Sequence, residues 1–344
     1  MIRILKTSLT LLTLLIITGY AHSQDIDRYL RDLYKARQLN GNVLVVKQGN
    51  IIYEKSFGYA DASKQEKLTA GHRFNIGSIY KEFPAVAIMQ LHEKGRLQLE
   101  DYISDYLPEL PEWSQKVTIK HVLQYSSGLP TINWGYYFGN QIPPTEDMLF
   151  QELHRIDTLQ FEPGSSYLYS NNNPLLLVRI VEHIEQIAFN EYLKKNIFTP
   201  TGMNETILSN QYPYLDRTLM AIPFNEHFEE DVFSLAVRSL LFSSTARDMA
   251  KWIQELGNFN IVKRESVKTL SETAQSNPDF QAPLGQVTWQ YDNMIEHAHH
   301  GSSSNYECII RRFKQEEITI VILTNQKHDN VREISERIKE LVLD

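Results

Sequence analysis

The chain has 344 residues, of which 42% are hydrophobic and 22% are charged. These proportions are ordinary for a globular protein with a sizeable core, and they exclude a collagen-like, low-complexity or disordered chain. The formal net charge of −8, without a basic stretch, argues against a protein that binds nucleic acid. The length alone allows one large domain or two small ones.

The N-terminus differs from the rest of the chain. Arg3 and Lys6 precede an apolar run from Leu9 to Ile17, and Ala21-His22-Ser23 then places small residues where a signal peptidase reads them. This order predicts that residues 1–23 are a cleaved signal peptide. The apolar run is too short to cross ~30 Å of hydrocarbon, so a membrane anchor is less favoured. We therefore expect a periplasmic or secreted protein without a stable membrane span.

The predicted mature chain is more acidic than the whole sequence. The signal region contains Arg3 and Lys6 and no acidic residue, so its removal changes the formal net charge from −8 to −10. We therefore expect no nucleic-acid partner. The only cysteine is Cys308, which excludes an intrachain disulfide and a lipidated cysteine directly after the signal peptide.

Both ends of the mature chain predict strands accompanied by helices. Residues 26–36 carry apolar side chains at helical spacing, and two β-rich runs within 43–53 indicate a hairpin. Near the other end, the runs 308–310 and 318–323 flank a charged turn. Apolar residues within 331–341 then mark one face of a closing helix.

The sequence between these regions is mostly helical and loop-rich. The pattern predicts an α+β fold, with an antiparallel sheet built from both termini, flanking helices and an inserted, mainly helical region. We predict one domain, residues 24–344, whose α/β part is 24–75 and 235–344 and whose mainly helical part is 76–234. The seam between the two parts is the expected place for a pocket.

Ser78 and Lys81 form the pattern Ser-x-x-Lys, which occurs once in the chain. The apolar stretch that follows ends near Lys94-Gly95, which predicts a helix beginning at the serine, with both side chains on one face. A helix N-terminus favours negative charge and would assist an alkoxide on Ser78, while Lys81 could hold a proton or stabilise that charge. Pro84 is expected to remove a backbone hydrogen bond near the second turn and bend the axis.

Tyr169-Ser170-Asn171 lies between a Pro-Gly turn and an apolar stretch, which predicts a loop leading into a helix. The Tyr169 hydroxyl can relay a proton if the positive charge of a nearby lysine lowers its pKa. Asn171 could donate to a substrate amide or hold the lysine. Tyr291-Asp292-Asn293 has the same pattern, so the motif alone does not decide its role.

His299-His300-Gly301 lies just before the penultimate predicted strand. Gly301 allows the backbone to approach a ligand closely, and the N–H of Ser302 could be an oxyanion donor opposite the N–H of Ser78. One alternative is a zinc site made by His297, His299 and His300, although no HExxH motif or cysteine pair accompanies them. Another is a surface turn that is rich in histidine and serine.

Taken in chain order, Ser-x-x-Lys, Tyr-x-Asn and His-x-Gly resemble the motif set of the serine penicillin-recognising enzymes. The sequence is similar to the branch that contains class C β-lactamases, D-alanyl-D-alanine carboxypeptidases, D-aminopeptidases and some esterases. Further similar stretches cover nearly the whole mature chain, at residues 41–46, 57–60, 74–78, 95–101, 106–108, 119–123, 126–130, 202–206, 243–249 and 323–325.

The resemblance implies a β-lactamase/transpeptidase-like fold and acyl transfer to water without a cofactor or metal. It implies that Ser78 is the nucleophile, Lys81 its activating partner and Tyr169 the proton relay. The residues expected to bind substrate are Asn171, His299, Gly301 and Ser302, with the N–H groups of Ser78 and Ser302 as the oxyanion hole. The expected substrate is a small molecule or a peptide. The candidates are a β-lactam, an ester, or a peptide that ends in D-alanine, including one derived from peptidoglycan.

Three departures from the family pattern keep an alternative open. His299 stands where many β-lactamases have lysine and supplies less fixed positive charge at pH 7. Pro84 replaces a small residue, and Ser302 and Asn305 stand where the family often has glycine. A catalytically silent member of the same fold that binds peptides or cell-wall fragments is therefore the alternative to a hydrolase. Which substrate is used stays open, because sites change on a shared fold.

Overall fold

The computed structural model describes residues 23–274 and 280–344, so the predicted signal peptide lies outside the described residues except for Ser23. The strands are β1 Gly41–Lys47, β2 Asn50–Phe57, β3 Phe74–Asn75, β4 Ile207–Leu208, β5 Phe242–Ser244, β6 Gln286–Gln290, β7 Asn293–Ser303, β8 Tyr306–Phe313 and β9 Ile318–Thr324. The helices are α1 23–35, α2 Glu82–Glu93, α3 Ile119–Leu123, α4 Trp134–Gly139, α5 Glu146–Leu153, α6 Asn172–Glu185, α7 Phe189–Leu193, α8 Thr199–Thr201, α9 Ala246–Gly257, α10 Arg264–Leu270 and α11 Val331–Leu343. Short 3₁₀ turns lie at Gly77–Lys81, Ile103–Asp105, Glu112–Gln115 and Arg238–Leu240, and a π-helical turn lies at Lys194–Phe198.

The main sheet has six strands in the order β2-β1-β9-β8-β7-β6, and every neighbouring pair is antiparallel. β1 pairs with β9, with Val43 opposite Ile322, so strands from the two ends of the chain are neighbours. This confirms the predicted α+β fold with a sheet built from both termini. The two predicted hairpins are β1–β2 and β8–β9.

Helices cover both faces of this sheet, which explains why all seven residues of β9 are buried. Side chains alternate between the two faces of a strand. Ile320 therefore joins the apolar cluster of α11, which includes Ile338, while its neighbour Val321 joins the cluster of Trp252 on α9. Burying one such aliphatic side chain contributes ~1.5–3 kcal/mol to the free energy of folding.

A small three-stranded sheet, in the order β3-β5-β4, lies at the start of α9. Thr245 caps this helix by accepting the N–H of Asp248. The Asp248 carboxylate in turn accepts the N–H of Glu205 at 2.8 Å and the hydroxyl of Thr206 at 3.0 Å. The family-like stretches 202–206 and 243–249 thus contact each other and fasten the insertion to the sheet region.

Helices α3 to α8 all lie in the middle of the chain, between residues 119 and 201. α6 packs its apolar face, which includes Leu176 and Ile180, into the cluster that also contains the buried side of α2. The division of the domain near residues 75 and 235 stays a prediction. Within residues 23–274 and 280–344, no helix has the length and apolar character needed to cross a bilayer.

The expectation for the helix after Ser78 is partly wrong. Ser78 lies in the 3₁₀ turn Gly77–Lys81, and the α-helix begins only at Glu82. Pro84 has no N–H to bond the Tyr80 carbonyl in α-helical register, which favours the tighter turn before it. Pro84 is therefore the third residue of α2, inside the first turn, and it does not interrupt a helix interior.

Candidate active site

Close backbone contact between the turn of Ser78 and strand β7 defines the site. Gly77 has φ +52°, and a Cβ there would lie 2.4 Å from the backbone nitrogen of Ser302. A Cβ on Gly301 would lie 2.0 Å from the carbonyl oxygen of Ile76. Both positions therefore require glycine, because any side chain would push β7 away from the nucleophile turn. Gly301 thus allows the backbone of Ser302 to lie beside that of Ser78.

The three predicted catalytic side chains meet at the Ser78 hydroxyl. Lys81 Nζ lies 3.2 Å from Ser78 Oγ, and the phenol of Tyr169, which is 91 residues away in sequence, donates to the same oxygen at 2.9 Å. Lys81 Nζ also lies 4.8 Å from the centre of the Tyr169 ring. Ser78 is half-buried, so its hydroxyl is positioned by two polar partners and is still accessible.

Burial assigns different protonation roles to the two partners of Ser78. Lys81 is 3% exposed, and this desolvation lowers its pKa to about 7. Burial likewise raises the pKa of Tyr169 to about 12, which the hydrogen bond to Ser78 opposes only in part. The expectation that a nearby lysine lowers the pKa of Tyr169 does not hold. The neutral amine of Lys81 is therefore the better proton acceptor, and the Tyr169 phenol stays a donor near pH 7.

Tyr169 is held by the segment 125–130. Ser170 Oγ donates to the carbonyl of Pro130 at 2.6 Å, and the Tyr125 ring lies 5.1 Å from the Tyr169 ring between centroids. Gly128 has φ +78°, and a Cβ there would lie 2.4 Å from the carbonyl oxygen of Phe161. The loop before α6 therefore has its predicted place, with the phenol directed at the nucleophile.

The Ser78 hydroxyl opens onto a cavity of about 530 Å³. Asn171 lines it and accepts the hydroxyl of Tyr80 through Oδ1 at 3.2 Å. Ser302 lines it at the edge of β7. The remaining lining residues are Asn75, Gly77, Tyr80, Lys81, Trp134, Phe138, Asp231, Val232, Phe233, Leu235, Leu240, Ser303 and Ser304. Asn171 and Ser302 thus share this cavity with the Ser78 hydroxyl.

The imidazole of His299 does not line this cavity. It is 1% exposed, its Nδ1 donates to Glu82 Oε1 at 2.7 Å, and its Nε2 lies 2.7 Å from the side-chain amide of Gln281. The neutral tautomer with a proton on Nδ1 satisfies both contacts. Burial lowers the pKa of His299 despite the opposing effect of Glu82. His299 therefore lies behind the site as a buried neutral group and does not contact a substrate carboxylate there.

Glu82 is the centre of a buried polar network that the motifs do not predict. Its carboxylate accepts the indole N–H of Trp252 at 2.5 Å, His297 Nε2 at 2.8 Å and His299 Nδ1 at 2.7 Å. Burial alone would raise the pKa of Glu82, but its histidine partners lower it to about 2. The sequence gives one signal of this network. Glu82 directly precedes a stretch whose residues are apolar around the whole circumference of the helix.

The three histidines of the zinc alternative do not converge. His297 and His299 contact Glu82 from one face of β7, whereas the Nε2 of His300 lies 3.2 Å from Glu307 Oε1 on the other. Across the described residues, no group of three His, Cys, Asp or Glu side chains is arranged to hold a metal ion. His300, the third histidine of that alternative, thus lies on the opposite face of the sheet.

Comparison with known proteins supports this fold and identifies the family. The sequence pattern that defines the family described as Beta-lactamase matches residues 26–343. Penicillin-binding protein 4* of Bacillus subtilis (strain 168) is 27% identical over 89% of this chain and 73% of its own length. A penicillin-binding protein structure from Bacillus halodurans superposes with TM-score 0.79 at 23% identity, covering 91% of this chain and 98% of that one. A class C β-lactamase structure superposes with TM-score 0.75 at 18% identity, covering 93% and 96%. The chain belongs to the β-lactamase family and has the β-lactamase/transpeptidase-like fold.

Proposed function

We propose that this protein is an exported serine hydrolase that acts through an acyl-enzyme on Ser78. The observation that carries the proposal is the Ser78 hydroxyl, which opens onto a cavity within 3.2 Å of the Lys81 amine and 2.9 Å of the Tyr169 phenol. A serine activated by an adjacent base is the arrangement that nucleophilic catalysis requires.

The first half of the reaction follows from these positions. The neutral Lys81 amine takes the proton of Ser78 as Oγ forms a bond to the substrate carbonyl carbon. The N–H groups of Ser78 and Ser302 stabilise the oxyanion of the tetrahedral intermediate. As the bond to the leaving group breaks, the Lys81 ammonium returns the proton to the leaving group. Where the phenol of Tyr169 lies nearer to the leaving group than the ammonium does, the proton passes through the phenol.

Water completes the cycle. Lys81, again neutral, takes a proton from a water molecule that attacks the acyl-enzyme carbonyl, and the same N–H groups hold the second oxyanion. The bond between Oγ and the acyl carbon then breaks, Oγ regains its proton from Lys81, and the carboxylic acid leaves. Lys81 thereby serves as base and then acid in each half-reaction.

Covalent labelling tests this proposal directly. A fluorophosphonate probe followed by mass spectrometry of the digested protein should place the label on Ser78. The Ser78→Ala variant should lose both the label and the hydrolysis of 4-nitrophenyl esters. Ser63→Ala, which removes an exposed serine elsewhere, is the matched control. An unlabelled wild type, or esterase activity that persists in Ser78→Ala, would contradict the proposal.

The export part of the proposal rests on the order of charged, apolar and small residues in 1–23 and on the similarity to penicillin-binding proteins. N-terminal sequencing of the protein recovered from a bacterial periplasm or culture medium tests it. A mature chain that begins near Gln24 would support export. An intact N-terminus in the cytoplasmic fraction would contradict it.

The non-catalytic alternative gains no specific support from the site. Pro84 lies in the first turn of α2, and Asn305, in the turn between β7 and β8, binds Asp231. Within the described residues, neither side chain forms a hydrogen bond to Ser78, Lys81 or Tyr169. Pro84 and Asn305, two of the departures from the family pattern, thus leave the contacts of Ser78 with Lys81 and Tyr169 in place.

A further inference from the structure

The cavity in front of Ser78 is lined by few charged side chains. In the part of the chain that the structure describes, Lys81 is the only basic side chain that lines it, and Asp231 is the only acidic one. Lys81 is buried at the base and bound to Ser78. Its amine is therefore committed to the nucleophile and does not offer a free cation to a second group on the substrate.

Asp231 fixes a negative charge at the rim. Its carboxylate accepts the backbone N–H of Asn305 at 3.0 Å and also accepts the side-chain amide of Asn305. These bonds attach the loop that carries Asp231 to the turn between β7 and β8, beside Ser302 and Ser303. A substrate group that enters along this edge of β7 meets a carboxylate.

His299, the histidine that could have balanced this charge, does not line the cavity. His299 lies on the nucleophile side of β7, but its Nδ1 is bound to Glu82 and its Nε2 contacts Gln281. Both ring nitrogens are occupied, and the ring is buried. Among the described residues, β7 therefore presents no basic side chain to this cavity.

The opposite wall of the cavity is aromatic. Trp134 and Phe138 of α4 stack with ring centroids 5.8 Å apart, and Phe138 lies 5.7 Å from Phe233. Phe233 in turn stacks on Tyr212 at 4.3 Å, which supports the wall from behind. Phe138 is 40% exposed and Val232 is 99% exposed, so the apolar surface continues to the mouth. An apolar group placed here would be removed from water, which favours its binding.

We infer that this site selects neutral esters and amides whose acyl group is apolar, and that it discriminates against acyl donors that carry a carboxylate. The inference rests on the proposed function and names its substrate class. A carboxylate on the acyl group would lose hydration against the aromatic wall and face Asp231 without a counter-ion.

A matched pair of substrates tests the inference. The 4-nitrophenyl esters of (4-carbamoylphenyl)acetic acid and (4-carboxyphenyl)acetic acid have the same shape and differ by one negative charge. After correction for spontaneous hydrolysis, kcat/KM of the wild type should be at least about tenfold higher for the carbamoyl ester. Values within twofold of each other, or a preference for the carboxylate, would overturn the inference.

Charge at the cavity mouth gives a second arm. Val232→Lys adds a cation at a fully exposed position, and Val232→Gln adds a neutral side chain of similar length. The lysine variant should lower the ratio of the two kcat/KM values severalfold relative to the glutamine variant, and added salt should weaken that difference. Equal ratios in the two variants would count against charge as the basis of selection.

Binding measurements separate this inference from the proposed function. Ser78→Ala protein is titrated with (4-carbamoylphenyl)acetamide and with (4-carboxyphenyl)acetamide by ligand-observed NMR, so that the carbonyl next to position 78 is the same amide in both ligands. Tighter binding of the carbamoyl ligand, together with no turnover of any ester by wild type, would refute the hydrolase and support the cavity's preference. Binding of the carboxyl ligand as tight as that of the carbamoyl ligand would overturn the inference even if Ser78 is the nucleophile.

Discussion

Replacing Lys81 by arginine keeps a long basic side chain next to Ser78 but removes a base that works near neutral pH. A guanidinium stays protonated throughout the range in which proteins are stable, so it cannot accept the proton of Ser78. General-base catalysis contributes about 10²–10⁴-fold to a rate. We therefore expect Lys81→Arg to lose at least roughly 100-fold in acylation rate while it retains the fold.

The same role of Lys81 predicts how the acylation rate of the wild type depends on pH. Because burial lowers the pKa of Lys81 to about 7, roughly half of the amine is neutral at pH 7 and roughly a tenth at pH 6. The acylation rate should thus rise about tenfold per pH unit below pH 6 and level off above about pH 8. Tyr169 does not produce a second limb in this range, since its pKa is about 12.

Stopped-flow measurement of the 4-nitrophenolate burst between pH 5 and pH 9 isolates acylation from deacylation. Lys251→Arg is the matched control, because Lys251 is bound to Asp248 on α9, away from Ser78. A burst rate that is independent of pH over this range, or that falls from pH 6 to pH 8, would refute Lys81 as the base. So would a Lys81→Arg variant that is as fast as Lys251→Arg.

Three further changes test the packing of the site. Lys81→Met should raise the free energy of unfolding by roughly 3–5 kcal/mol at pH 5, because the variant no longer buries a desolvated ammonium. This gain should shrink as the pH rises from about 7 to about 10.5, since the wild-type amine is neutral in the folded protein over that range. Denaturant titrations at several pH values measure both effects. Tyr169→Phe should lower kcat/KM for esters by about 10–100-fold without changing the melting temperature, since only the donor to Ser78 is removed. Gly301→Ala should abolish activity and lower the melting temperature, because its Cβ would lie 2.0 Å from the Ile76 carbonyl oxygen.

Most strands of the sheet and the contact between Ser78 and Lys81 were predictable because each rests on local sequence. β1, β8 and β9 are runs rich in β-branched residues, and Ser-x-x-Lys needs only one turn to bring its two side chains together. β6 and β7 were not predicted, since β6 mixes exposed with half-buried positions, β7 mixes buried with half-buried or exposed ones, and neither has a long continuous apolar run. Tyr169 was found only through the ordered set of three motifs.

The surroundings of the site could not be predicted in the same way. Glu82 and His299 are 217 residues apart, and only the docking of α2 against β7 brings them together. The aromatic wall joins Trp134 with Phe233, from two segments that carry no motif. Sequence spacing indicates which side chains share a helix face, but it does not indicate which buried charge will find a partner across the core.

The buried charges around Ser78 explain how a lysine next to a carboxylate in sequence can act as a base. Glu82 follows Lys81 directly, yet its carboxylate is directed to Trp252, His297 and His299, which together supply three hydrogen bonds. Three donors thus stabilise the Glu82 carboxylate, whereas the Lys81 amine is hydrogen-bonded to Ser78. The lowered pKa of Lys81 accordingly follows from burial, with no opposing effect of Glu82. Had the carboxylate paired with Lys81, both groups would have stayed ionised and the amine could not have taken the serine proton.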